Sequence, residues 1–132
     1  HLILVNVNDL EKSEGRLNGR QAENALHECN ITVNRNSIPN DPNGPWYTSG
    51  LRIGTAAVTT LGMGKTEMEE IGCIIALILK NTSPASGKAK YVIREPARAE
   101  ALDRVKKLLD RFPVYPELDL VLLKQAFYTG NL

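Results

Sequence analysis

Asn30-Ile-Thr-Val-Asn-Arg-Asn-Ser-Ile-Pro-Asn-Asp-Pro-Asn-Gly-Pro-Trp-Tyr-Thr-Ser-Gly-Leu-Arg-Ile-Gly-Thr-Ala-Ala-Val-Thr-Thr-Leu-Gly-Met-Gly64 holds three of the seven prolines, the only tryptophan and five of the ten glycines of the chain. Pro39, Pro42 and Pro45 each fix a backbone angle and remove a donor, so the segment 34–49 reads as an irregular but stiff loop that is neither helix nor central strand. Short strands flank it. Ile31-Thr-Val33 reads as one, and Leu51-Arg-Ile-Gly-Thr55 as another, in which alternation sends Leu51 and Ile53 to one face and Arg52 to the other.

Outward from this stretch the periodicities change. Residues 2–7, Leu-Ile-Leu-Val-Asn-Val, are nearly all apolar and predict a strand covered on both faces. The segment 9–14 is a polar connection. Leu17, Ala22, Ala25, Leu26 and Cys29 recur at three- and four-residue steps and place one apolar face on a helix of about three turns, with Asn30 suited to a left-handed C-terminal cap. Thr66 opens the strongest helix, with Glu67, Glu69 and Glu70 at its positive end and Met68, Ile71, Ile75, Ile78 and Leu79 as the buried stripe. The segment 81–88 reads as a loop. From Ala97 to Arg111 a second long helix turns Ala101, Leu102, Val105, Leu108 and Leu109 inward, and Arg98, Glu100, Asp103, Arg104 and Lys106 outward. Phe112-Pro113 ends it. The tail 117–132 is apolar at Leu118, Leu120, Val121, Leu122 and Leu123, and is expected either to dock elsewhere or to be partly disordered in isolation.

At 132 residues and 42% hydrophobic the chain has the size of one domain able to bury a core without staples. Its net charge of +1, from 16 basic and 15 acidic residues, gives no electrostatic reason to expect nucleic acid or an anionic membrane. The longest uncharged apolar run, Ile71 to Leu79, is about half of what a spanning helix requires. No basic leader or cleavage site accompanies residues 2–5, so a signal peptide is not expected. Cys29 and Cys73 lack metal or redox spacing and read as reduced thiols of a cytoplasmic protein, with a disulfide as the alternative. The opening His1, directly in a strand-like run, suggests a piece of a longer protein.

Most candidate chemistry has a plainer reading. Gly62-Met-Gly64-Lys65-Thr66 ends like a phosphate-binding loop, but the first glycine of that pattern falls on Thr59, so it reads as a loop opening a helix. A dinucleotide reading fails because its third glycine falls on Glu67. Cys29, on an inward face, and Cys73, beside the buried stripe, read as small hydrophobes. His27 reads as an exposed helix residue, and with His1 as the only other histidine no metal site is expected. Glu67, Glu69 and Glu70 read as charges complementing the helix dipole. Arg52 differs. Small, hydroxyl-bearing neighbours surround it, Thr48-Ser49-Gly50 before and Gly54-Thr55 after, a setting that suits bidentate capture of a carboxylate by a planar guanidinium.

Ile31-Thr-Val-Asn-Arg-Asn-Ser-Ile-Pro-Asn-Asp-Pro42, Thr48-Ser-Gly-Leu-Arg-Ile-Gly-Thr55 and Thr59-Thr-Leu-Gly-Met-Gly64 together closely resemble serine hydroxymethyltransferase, whose usual wording is near Thr-Ser-Gly-Ile-Arg-Ile-Gly-Thr-Pro-Ala. His1-Leu-Ile-Leu-Val5, the helix from Gly19 to Asn30 and Arg111-Phe-Pro-Val-Tyr115 fit as well. Ala56 stands where the family's proline is usual and Leu61 where arginine is frequent. The resemblance implies an α/β (α+β) sandwich, the small C-terminal domain of an aspartate-aminotransferase-like, fold type I enzyme, with helices packed on a small, mainly antiparallel sheet. It implies such a domain over residues 1–115, with 116–132 as a C-terminal extension of uncertain structure.

The resemblance further implies pyridoxal phosphate as cofactor, held mainly by a large domain outside this chain, tetrahydrofolate as cosubstrate, interconversion of serine and glycine, and a homodimer or dimer of dimers in the cytoplasm or an organelle. By position, Arg52 matches the arginine that binds the amino-acid carboxylate, and Asn36 the asparagine at the folate pterin. No catalytic residue is expected within the chain, which alone is expected to be inactive without the lysine-bearing domain. Another fold type I enzyme, a threonine aldolase or an aminotransferase, and a non-catalytic interaction module are the alternative readings.

Overall fold

The computed structural model describes residues 1–10, 15–116, 118 and 120–128. Strands β1 (Leu2–Asn6), β2 (Asn34–Asn36) and β3 (Gly50–Gly54) form an antiparallel sheet in the order β1-β3-β2. Strands β4 (Thr82–Pro84) and β5 (Tyr91–Ile93) form a separate antiparallel hairpin. Helices α1 (Gly19–Glu28), α4 (Lys65–Lys80) and α5 (Glu95–Arg111) are the long ones, and the single turns α2 (Gly44–Tyr47) and α3 (Ala56–Thr60) flank β3. Helix α1 packs on β2 and β3, and α4 lies between α1 and α5. This is the expected α+β arrangement. The apolar faces of α1 and α4 contribute to one core in which Val7, Leu17, Leu26, Leu51, Ile74 and Ile78 are fully buried.

Local chemistry fixes the ends of α1. Asn18 Oδ1 accepts from the Gln21 N–H at 2.9 Å and Gln21 Oε1 accepts from the Asn18 N–H at 3.1 Å, so each side chain satisfies the other residue's otherwise unpaired backbone donor. Their amide nitrogens reach further: Asn18 Nδ2 donates to the Lys88 carbonyl and Gln21 Nε2 to that of Lys90, each at 2.7 Å, tying the helix to the β4–β5 turn. At the other end Asn30 takes a φ of 62°. Its N–H bonds to the His27 carbonyl and that of Ile31 to Leu26, the paired closure that a left-handed residue permits.

That closure explains a displaced strand. The chain is still folding back under α1 at Ile31, so the ladder begins only at Asn34, opposite Arg52, and not over residues 31–33. Val33 is buried without belonging to the ladder. Two parts of the loop are also regular. Asn34–Asn36 is an edge strand, and Pro45 lies in the first turn of α2, where a missing N–H costs nothing. The segment 81–88, expected as a loop, contains β4, closed onto β5 by the Ala85 N–H and the Lys90 carbonyl at 3.0 Å.

Burial revises three apolar assignments. Leu2, Ile3 and Leu4 are about half exposed, at 54%, 57% and 45%, because β1 is an edge strand and the described residues lay a helical layer on only one side of its sheet. The stripe of α4 is centred on Ile74 and Ile78, with Ile75 at its margin and Cys73 turned to solvent. Leu109 of α5 is exposed and Arg104 is half-buried. The tail carries helix α6 (Leu120–Tyr128), on which Val121 and Leu122 are exposed.

Candidate functional site

The three-stranded sheet has a covered face and an open one. Residues directly opposite in an antiparallel ladder share a face and alternate along each strand. The register pairs Ile3 with Ile53, Val5 with Leu51 and Leu51 with Arg35; of this set Leu51 and Ile53 pack into the core with the helices, while Ile3 lies at the exposed edge. The complementary set is Leu2, Leu4 and Asn6 on β1, Gly50, Arg52 and Gly54 on β3, and Asn34 and Asn36 on β2. Arg52 is exposed and Asn36 half-buried, so both residues singled out in the sequence stand on the open face. They are diagonal neighbours, because Asn34 faces Arg52 and Asn36 faces Gly50.

Arg52 is available for a ligand. The ion pairs among the described residues employ Arg35, Arg98, Arg104 and Arg111 on other surfaces, and none employs Arg52. Leu4 and Asn34, its partners in the register, carry no charge. Asn36 Nδ2 donates to the Ser37 carbonyl at 2.7 Å, which directs the amide along the strand it ends. Strand β2 is fixed from behind by Glu23 of α1, a residue the sequence reading passed over. Its carboxylate accepts from the Arg35 N–H at 3.0 Å and pairs with the Arg35 guanidinium. A glutamate on the inward side of an amphipathic helix was the available signal, since buried carboxylates require partners.

The loop entering β3 is conformationally strained at Thr48, a β-branched residue at φ 55°. Its N–H bonds to the Gly44 carbonyl and its carbonyl accepts from Gly19 at the start of α1, both at 3.0 Å. The contact is close enough that a Cβ at Gly19 would stand 2.3 Å from Thr48 Oγ1. The loop therefore seats on the helix end, which sets where β3 begins.

The other candidates fall where their plain readings placed them, with one exception. Gly64 and Lys65 open α4, and Glu67 Oε2 accepts from the Gly64 N–H at 2.9 Å. Glu70 is bound to Arg104 and Glu69 faces Lys65, so the three glutamates form no acid–base pair. His27 is exposed and its Nε2–H donates to the Val33 carbonyl at 2.8 Å. Cys29 is buried, and burial first, then the charge of Glu28, pushes its thiol up, away from nucleophilic use. The exception is Cys73, exposed instead of packed. Both cysteines are free thiols, and no group of three potential metal ligands occurs among the described residues. No helix among them is long and apolar enough to cross a membrane.

An apolar cleft of about 280 Å³ lies between β3, α4 and α5, bounded by Val33, Ile53, Met68, Ile71, Ile75 and Leu108, and no titratable group lines it. It offers no charge, acid or base to a polar substrate. Nor do the described residues compose a pyridoxal phosphate site, which requires a lysine amine beside the ring: their lysines stand on α4, α5, α6 and the β4–β5 turn, none on the three-stranded sheet. What the open face can do is bind an anion at Arg52, next to amide groups that donate and accept.

Comparison with known proteins agrees with the motif reading. Residues 1–75 match the family model for serine hydroxymethyltransferase. The chain is 46% identical to the serine hydroxymethyltransferase of Treponema pallidum over 133 aligned positions, covering 96% of this chain and 22% of that protein. It is equally 46% identical to that of Chlamydia muridarum, over 91% of this chain and 24% of the relative, and to that of Cutibacterium acnes, over 88% and 25%. The chain thus spans about a quarter of the length of the curated relatives it matches.

Proposed function

The chain belongs to the serine hydroxymethyltransferase family, and from that premise we propose that it is the C-terminal part of an enzyme that interconverts serine and glycine with tetrahydrofolate and pyridoxal phosphate. Residues 1–115 form the small domain and 116–132 an extension in this reading. The cofactor and its lysine belong to the polypeptide beyond this chain. A homodimer or dimer of dimers in the cytoplasm or an organelle accompanies the assignment.

Within it, Arg52 binds the carboxylate of the amino acid and Asn36 contacts the folate ring. The observation that carries the reading is an exposed arginine, unpaired among the described residues, sharing the open sheet face with Asn36. A guanidinium presents two parallel N–H donors to a carboxylate, so it fixes the orientation of an amino acid as well as holding it. Orientation matters because one bond at the α-carbon must be aligned for reaction.

The test uses the full-length protein. Arg52→Ala is expected to raise KM for serine about ten- to a hundredfold, the loss of a charge-assisted pair. Arg52→Lys is expected not to restore it, because an ammonium lacks the fork. Unchanged serine kinetics in Arg52→Ala, or serine turnover that does not depend on tetrahydrofolate, overturns the assignment.

A further inference from the structure

The loop joining the two site strands is closed by a single side chain. Asp41 Oδ2 accepts from the backbone N–H groups of Ile38, at 3.1 Å, and Ser49, at 2.8 Å. Its Oδ1 accepts from the Asn43 N–H at 2.9 Å and from the Ser49 hydroxyl at 2.6 Å. The same hydroxyl oxygen accepts from Asn43 Nδ2 at 2.9 Å. Four donors converge on one carboxylate, and Ser49, which supplies two of them, is fully buried.

The positions of those donors matter more than their number. Ile38 stands two residues beyond Asn36, and Ser49 three residues before Arg52. Asp41 therefore clamps the exit of β2 to the entry of β3 at the Asn36–Gly50 end of the ladder, beside Asn36 and two pairs away from the Asn34–Arg52 pair. Glu23 holds β2 from behind and Gly19 holds Thr48, but neither links the two strands to each other across the loop, which the Asp41 carboxylate does. Resting on the functional reading above, we infer that Asp41 is a positioning residue for substrate binding, setting the placement of Arg52 and Asn36 without touching substrate itself.

The electrostatics agree with that role. Partial burial raises the carboxyl, but the Ser49 hydroxyl and the N–H groups of Asn43, Ile38 and Ser49 outweigh it and hold the group below its ordinary value. It is thus the anion, an acceptor to all four donors, throughout the neutral range. An asparagine would keep the two bonds at one oxygen and turn an NH2 group toward the Asn43 N–H, replacing an acceptor by a donor.

The experiment compares Asp41→Asn, Asp41→Ala and Arg52→Ala in the full-length protein. Asp41→Asn is expected to raise KM for serine about fivefold, and Asp41→Ala about tenfold or more, with kcat within about twofold of the parent. Combined with Arg52→Ala, Asp41→Asn is expected to add less than about twofold, since a residue acting through Arg52 has nothing left to position. Amide exchange should quicken in peptides spanning 34–52 and stay unchanged in α4 and α5. An unchanged KM, a full additional loss in the double variant, or unchanged exchange over 34–52 overturns the inference. Failure of Arg52→Ala alone to change KM overturns the functional reading instead, and the exchange measurement still decides whether Asp41 fixes the strands.

Discussion

Ile38 occupies the space above Gly50 that a side chain would take: a Cβ there would stand 2.8 Å from Ile38 Cγ2, 2.7 Å from the Asn36 carbonyl oxygen and 3.1 Å from Leu4 Cδ1. Gly50 is central in the sheet and buried, with no positive φ to explain it. Close approach of β2 and its following loop is the reason for the glycine.

Gly50→Ala is accordingly expected to lower stability by about 1–3 kcal/mol, the usual cost of overpacking, and to push Asn36 away from β3. Urea unfolding followed by far-ultraviolet circular dichroism measures this. An unchanged midpoint would mean that Ile38 yields freely and that the loop is not held against the sheet.

Ile74 and Cys73 are adjacent in sequence and opposite in fate. Ile74→Ala removes a fully buried side chain from the junction of α4 with the core and is expected to cost about 2–5 kcal/mol. Cys73→Ser, on the solvent side, is expected to stay within about 0.5 kcal/mol. The pair of unfolding midpoints locates the buried stripe of the helix directly. Equal effects would place it one residue further on, as the periodicity alone suggests.

Arg104 clasps Glu70 across the α4–α5 interface, its Nε and Nη2 donating to the two carboxylate oxygens at 2.7 Å each. Those hydrogen bonds are the main reason that Glu70 lies below its ordinary value; partial burial opposes them and the arginine's charge assists. A carboxyl depressed in the folded state stabilises the fold above its unfolded pKa, about 4.3, and that contribution is lost as pH falls through the lower folded value. For a pair still partly in water the loss is about 0.5–1 kcal/mol. Arg104→Gln should remove it at neutral pH and flatten the acid limb of stability against pH; an acid limb as steep as the parent's would exclude the pair as its source.

The helices and their capping were legible because they rest on local rules. Ala22, Ala25 and Leu26 could face only one way on a helix, and Asn30 suited a left-handed cap whatever surrounded it; Leu17 is buried but precedes the cap Asn18, outside the helix. Arg52 was legible for a similar reason: alternation about Leu51 and Ile53 decided its face. The misplacements all needed partners distant in sequence. Strand β2 starts where Arg52 meets it, and β4 exists because Tyr91–Ile93 returns to pair with it. Asp41 looked like one more polar loop residue, since its role depends on Ser49 closing eight positions later. Leu2 to Leu4 read as buried because an apolar run says that a strand should be covered, but not which segment does the covering.

That run has a further consequence for the chain in isolation. Strand β1 ends its sheet, so among the described residues one row of its N–H and C=O groups has no strand beside it, and the side chains bordering that row are Leu2, Ile3 and Leu4. Neither a proline nor a charge interrupts the row. Natural sheets guard such borders because they template addition of a strand from another molecule. The unguarded border is one strand away from Arg52, whose register partner on β1 is Leu4, so whatever covers that edge also stands beside the arginine.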